Sequence, residues 1–500
     1  MTDKSNVVFT NPILRGFNPD PTICVVPATD STPTTFFLST STFEFFPGCA
    51  IYTSTNLVDW KLIGHALNRR SQIDMRTVEP GAGSWASTLR YRPEEKRWYL
   101  ANGVFHRYRP SVDERIFPRG FYVYTDNIYN NAWSDPVYFD NPGFDQDLFW
   151  DDDGKVYLST TMRFAWRDPN STQKDFGIHI SEIDIATGRT LTVPKLIRES
   201  PHGIAEGSHI FKRGDWYYLL TAEGGTETGH QEWVFRSKEG PFGPWESQGN
   251  PLWYNGPGEE VQRTGHVDVF EDGNGDWWSV LLGVRPVQHE GVFLEPQLGR
   301  ETFLVKVEWQ DDWPIFNDGR NITLKTTGRE LIKSALKPGP QRWRADLSRD
   351  TLELGWYQKN TPIKQSYSLT ERAGVLRLYG NCYDLTSPEA PAMLLRKQTS
   401  YNQIFKAKME FKPTISILHF EGGLESVEFH IRAYPTKYDL WLRAGEKESE
   451  TLTVKASDLT VMPPYGGCFA GTMLGIYSFG KNQPVLDPAE FSEISTEELE

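Results

Sequence analysis

The chain has 500 residues, 52 of them basic and 66 acidic, for a net charge of −14. Nucleic acid and anionic membranes are held by basic footprints, so this balance excludes both as partners. The length calls for two domains, and four scattered cysteines (Cys24, Cys49, Cys382, Cys468) suit neither a disulfide framework nor a zinc site.

The N-terminal "MTDKSNVVFTNPILRG" has no apolar signal core, and no stretch approaches a membrane span. The expectation is a cytoplasmic protein as the sequence stands, or a secreted one if a leader has been removed. The sequons at Asn170 and Asn321 would count only in the secreted case.

Along the first 320 residues an aromatic, strand-like segment recurs behind a polar turn: "TPTTFFLSTS" (32–41), "PEEKRWYLANG" (93–103), "DDGKVYLSTT" (152–161), "KRGDWYYLLT" (212–221) and "GNGDWWSVLLG" (273–283). The markers Phe37, Tyr99, Tyr157, Tyr217 and Trp278 are 62, 58, 60 and 61 residues apart. Each reads as the second strand of a hairpin, with further strand candidates later in the unit and almost no helical periodicity. A unit of that size with four strands matches a propeller blade, so residues 1–320 are expected to form a five-bladed β-propeller.

The first strands of the hairpins open at Asp20, Trp85, Asp145, Glu206 and His266, separated by 65, 60, 61 and 60 residues. The first strand of each blade runs beside the central axis, so these five positions should form one ring facing the cavity. Like charges so gathered repel and raise at least one pKa, which folds accept mainly where chemistry uses it. Three acids suit glycoside hydrolysis, where one protonated carboxyl serves the leaving oxygen and one carboxylate drives attack. A metal site is the alternative, although a hard cation wants six or more oxygen ligands. The "DDDG" at 151–154 lies at a hairpin turn away from the ring and reads as solvated.

Past "WPIFNDGRN" (313–321) a linker is expected over residues 321–342, including "KSALKPGPQRW". Short alternating strands then predict a β-sandwich over residues 343–500. The acidic end "DPAEFSEISTEELE" reads as frayed or as a short helix.

The segments "NPILRGFNPDPTI" (11–23), "STFEFFPGCAIYTSTNLVDWKLIGHALNRRSQIDM" (41–75), "GSWASTLRY" (83–91), "AEGSHIFKRGDWYYL" (205–219) and "LGRETFLVKVEWQDDWPIFN" (298–317) carry a resemblance that runs almost end to end. By them the chain resembles glycoside hydrolase family 43, within it the β-xylosidase and α-L-arabinofuranosidase group. The resemblance implies an inverting, exo-acting hydrolase with Asp20 as general base, Glu206 as general acid and Asp145 as the third acid, which raises the pKa of Glu206 and orients it. It also implies a sugar pocket walled by Phe43 and Trp85, substrate binding by Arg300 and His266, and a C-terminal sandwich that narrows the pocket mouth. No cofactor is required for this chemistry; in some members the histidine matching His266 helps hold a divalent cation such as Ca²⁺, which makes His266 the candidate metal ligand.

One position departs from the family pattern, because Asp147 stands where a small residue is usual. The repeat register selects Asp145 for the ring and sets Asp147 one step down the strand, level with Thr22, Ser208 and Asp268. The expected substrate is a xylo-oligosaccharide, releasing terminal xylose. The alternatives are an arabinoxylan-derived substrate, or both, and, from another class, a propeller that binds sugar without cleaving it. A homo-oligomer is left open.

Overall fold

Each aromatic marker has an apolar or aromatic neighbour, and strand alternation sends the two side chains to opposite faces of the blade. The computed structural model shows why both must be apolar. Phe36 and Leu38 join Phe270 and Trp278 in the core between the first and fifth blades, while Phe37 packs edge-on against Trp98 of the second at 5.7 Å. Tyr99 and Val156 meet between the second and third blades, Tyr157 and Tyr217 between the third and fourth, and Tyr218 and Leu281 between the fourth and fifth. A second strand covered on both sides therefore reads as an aromatic residue next to another aromatic or apolar one. The structure describes residues 7–105, 119–163, 176–335, 339–410, 426–462, 466–467 and 469–499; the Asn170 sequon and Cys468 lie outside them.

Five antiparallel sheets succeed one another in chain order. Their innermost strands are Thr22–Val26, Thr88–Arg92, Phe144–Trp150, Ala205–Arg213 and Gln262–Glu271. The strands paired with them are Thr35–Thr40, Arg97–Phe105, Val156–Arg163, Trp216–Glu223 and Trp277–Val284, which carry the five markers. No helix among the described residues is long and apolar enough to cross a membrane.

Part of the stretch expected as a linker closes the propeller. Lys325–Gly328 pairs antiparallel with Val7–Thr10, and the first compact unit runs on to Leu336. Just beyond, Asn11 clasps the fifth blade: its Nδ2 donates to the Leu304 carbonyl and its Oδ1 accepts from the Leu304 N–H, both at 2.9 Å. The chain then runs into the first blade.

The second compact unit comprises Asp74–Thr77, Val287–Gly299 and Lys337–Glu500. It is a β-sandwich whose main sheet orders Tyr367–Ser368, Leu376–Leu378, Ala489–Glu498, Gln403–Glu410, Ser426–Ala433 and Lys437–Ala444. Ala392–Lys397 pairs with Met473–Ser478 apart from it, and Leu376, Leu394, Phe405, Ile476, Phe491 and Ile494 meet in the core.

The acidic C-terminus is neither frayed nor helical; Ala489–Glu498 is a central strand of that sheet. A register shift opposite Lys408 and Met409 lets Phe491 and Ile494 both reach the core, which breaks the period-two pattern. Its acids find arginines: Glu490 pairs with Arg372 and Arg377, and Glu497 with Arg342.

Asn11→Ala strands a buried donor and a buried acceptor of Leu304, at about 1–3 kcal/mol each. Urea unfolding should show the variant about 2–6 kcal/mol less stable; an unchanged midpoint would mean that the clasp does not hold the closure.

Candidate active site

At three of the five ring positions the backbone is left-handed: φ is 53° at Asp20, 54° at Asp145 and 55° at His266. Gly207, next to Glu206, has φ 58°. The ladders slip at the same places, between Phe144 and Asp147, Glu206 and His209, and Gln262 and Asp268. Such conformations cost about 1–3 kcal/mol per non-glycine residue and persist where the surroundings over-determine them. Pro19 and Pro21 flank Asp20 and fix the backbone on either side, yet the strained φ is that of Asp20 itself.

The acids have unlike surroundings. Asp20 Oδ1 accepts from Arg300 Nη1 at 3.0 Å, and His266 Nδ1 lies 3.7 Å from the same oxygen. Arg300 Nη1 also donates to Thr226 Oγ1 at 3.0 Å, and the guanidinium lies over the Phe43 ring at 5.0 Å. Its Nε and Nη2 groups are buried and meet no acceptor among the described residues.

Asp145 Oδ2 instead accepts the Gly207 N–H at 2.9 Å, which ties this carboxyl to the peptide following Glu206. Burial, then Glu206, then Asp20 push its pKa well above the ordinary aspartate range. Gly207 is required twice over: its φ is left-handed, and a Cβ there would stand 2.9 Å from His266 Nδ1. Burial drives the His266 pKa down to about 3, against the pull of Asp20, so its ring is neutral at ordinary pH.

Aromatic rings line one side. Trp85 sits where the innermost strand of the second blade is interrupted, between Gly83–Ser84 and Thr88–Arg92. It stacks on Phe105 at 3.8 Å, with Phe144 edge-on at 5.4 Å and Phe43 at 5.9 Å. Flat apolar walls of this kind suit the C–H faces of a sugar ring.

Below this level is a charged floor. Arg90 Nη2 donates to Asp147 Oδ1 at 2.7 Å and Nη1 to Asp268 Oδ2 at 2.8 Å. Burial opposes the charge on Arg90, but Asp268 and Asp147 outweigh it and hold the pKa above the ordinary arginine value. Burial likewise acts to raise Asp268, and Arg90 overcomes it to hold that carboxyl low.

The floor bears on the cation considered at His266. The nearby oxygen donors beyond the ring acids, Asp147 and Asp268, are both taken by a guanidinium, whose charge repels a second cation. Among the described residues no group of three or more His, Cys, Asp or Glu is placed to hold a metal ion. These residues do not fit the oxygen-rich shell that Ca²⁺ requires.

The predicted residues Asp20, Phe43, Trp85, Asp145, His266 and Arg300 are thus linked by direct contacts or through Gly207, and Glu206 adjoins that glycine and acts on the charge of Asp145. Phe105, Phe144, Thr226, Arg90, His209 and the pairing role of Asp268 escaped the sequence reading. One signal for the floor was present, since two acids at one register, Asp147 and Asp268, call for a cation on a neighbouring innermost strand.

An acid whose pKa rises on folding destabilises the fold above its unfolded pKa, near 3.8, and has no effect below it. Asp145→Asn should therefore raise the denaturation midpoint at pH 7, and the gain should vanish as pH falls below 3.8. The same variant should lose about 10²-fold in kcat. A variant equally stable at both pH values would remove the strain assigned to Asp145.

Comparison with known proteins agrees with this architecture. The model of Glycosyl hydrolases family 43 matches residues 9–314, and that of the beta xylosidase C-terminal concanavalin A-like domain matches residues 344–417. A xylan 1,3-beta-xylosidase of Vibrio sp is 36% identical, over 81% of this chain and 74% of that one. A non-reducing end alpha-L-arabinofuranosidase of Bacteroides ovatus is 32% identical, over 97% and 93%. The crystal structure of a xylan beta-1,4-xylosidase from Bacillus halodurans superposes with a TM-score of 0.84 at 27% identity, covering 98% of this chain and 100% of that one. With a family match that spans all five blades and a relative at 36% identity, the chain belongs to glycosyl hydrolases family 43.

Proposed function

We propose that the chain is an exo-acting, inverting glycosidase that releases terminal xylose from xylo-oligosaccharides. The asymmetry among the three acids carries this reading. Asp20 is paired with the Arg300 guanidinium, whereas burial, then Glu206, then Asp20 oppose the ionisation of Asp145. Pairs of carboxyls whose surroundings differ in this way divide into base and acid.

Asp20, fixed by Arg300, is the general base that takes a proton from the attacking water. Glu206 is the general acid that protonates the departing glycosidic oxygen. Asp145, through the Gly207 N–H, orients Glu206, whose charge in turn helps to hold the Asp145 pKa high. Arg300 Nε and Nη2 hold sugar oxygens, and Trp85 and Phe43 flank the ring. Release of α-L-arabinofuranose is the second reading; the arabinofuranosidase relative spans 97% of this chain, against 81% for the xylosidase one.

Paired assays on a chromogenic β-xyloside and α-L-arabinofuranoside separate the two sugars, and cleavage of neither would sink both. Glu206→Ala should lose about 10³-fold in kcat on an alkyl xyloside and far less on an activated aryl one, which needs no proton on departure. Equal losses on both would remove Glu206 from the acid role. Asp20→Asn should lose activity on both alike.

A further inference from the structure

The floor beneath the ring draws one group from every innermost strand. Arg90 Nη1 donates to Asp268 of the fifth blade, to Thr22 Oγ1 of the first at 3.3 Å and to the Leu89 carbonyl of its own blade at 3.1 Å. Nη2 donates to Asp147 of the third blade and lies 3.1 Å from His209 Nδ1 of the fourth.

The partners pass the tie on to the backbone. Asp268 Oδ2 accepts from Thr22 Oγ1 at 2.8 Å and from the Ile23 N–H at 3.1 Å. Asp147 Oδ2 accepts the Ile210 N–H at 2.8 Å, and Thr22 Oγ1 accepts the Leu89 N–H at 3.0 Å. One planar fork thus engages all five blades, a geometry that a guanidinium offers and an ammonium does not.

These ties fall next to the reacting groups. Thr22, Asp147 and Asp268 are each two residues past Asp20, Asp145 and His266, and His209 is three past Glu206. Each tie lies just beyond the left-handed kink or register slip that turns the ring residue toward the axis. Five carboxyls, Asp20, Asp145, Glu206, Asp147 and Asp268, share this region, and Arg90 is the cation in contact with the lower two.

We propose that Arg90 is a positioning residue for the glycosidic reaction and the resident cation of the propeller axis, so that the enzyme needs no bound divalent ion there. The inference rests on the reading of Asp20, Asp145 and Glu206 as the reacting acids, and the Glu206 and Asp20 substitutions above decide that reading separately.

The test uses the full chain and whichever glycoside the wild type cleaves. Arg90→Met alone leaves two buried carboxylates unpaired and threatens the fold. The informative protein is the neutral floor, Arg90→Met with Asp147→Asn and Asp268→Asn, with Arg90→Lys, which keeps the charge and loses the fork, as the second variant. The neutral floor should unfold near the wild-type temperature yet lose about 10–100-fold in kcat, with KM within about twofold. Arg90→Lys should show the same split, smaller in size. Wild-type kcat should be unchanged by exhaustive chelation and by added Ca²⁺. A folded neutral floor with wild-type kcat, or Arg90→Lys at wild-type kcat, would reduce Arg90 to a structural tie. Loss of wild-type activity on chelation, regained with Ca²⁺, would overturn the resident-cation claim.

Discussion

A five-bladed propeller that gathers carboxyls on its axis must hold five strands together where their charges push them apart. In this chain the Arg90 guanidinium, bonded to Asp147 and Asp268 and in reach of Thr22 and His209, meets that constraint directly. The geometry above depends on it. Left-handed kinks at Asp20, Asp145 and His266 are costly; the strands just past them are tied through Arg90, and the blade faces are locked by buried aromatics such as Phe36, Tyr218 and Trp278.

The ring places unlike partners around like acids. Arg300 holds Asp20, the Gly207 amide holds Asp145, and a neutral His266 packs against Gly207. Differences in neighbours, more than differences in residue type, separate a base from an acid when all three groups are carboxyls.

Much of this was legible in the sequence because a propeller repeats. Aromatic and apolar neighbours at about sixty-residue steps reported strands covered on both faces, and the same steps placed Asp20, Trp85, Asp145, Glu206 and His266 on one level. Arg90 escaped because its reach across the axis is a side-chain property that no period encodes. The strand Lys325–Gly328 was hidden because its partner, Val7–Thr10, lies some three hundred residues away. The C-terminal strand was misread because its bulge breaks the alternation and because its acids are neutralised by arginines distant in sequence. The left-handed kinks leave little trace either, since aspartate tolerates that conformation and also occurs in ordinary turns.

The account turns on Asp20 activating a water rather than attacking the sugar itself. Proton NMR of the first product from a β-xyloside, read before mutarotation, tests this most directly. Hydrolysis through an Asp20-bound water predicts α-xylose as the initial anomer. Initial release of β-xylose would contradict it and make a carboxylate of the ring a nucleophile.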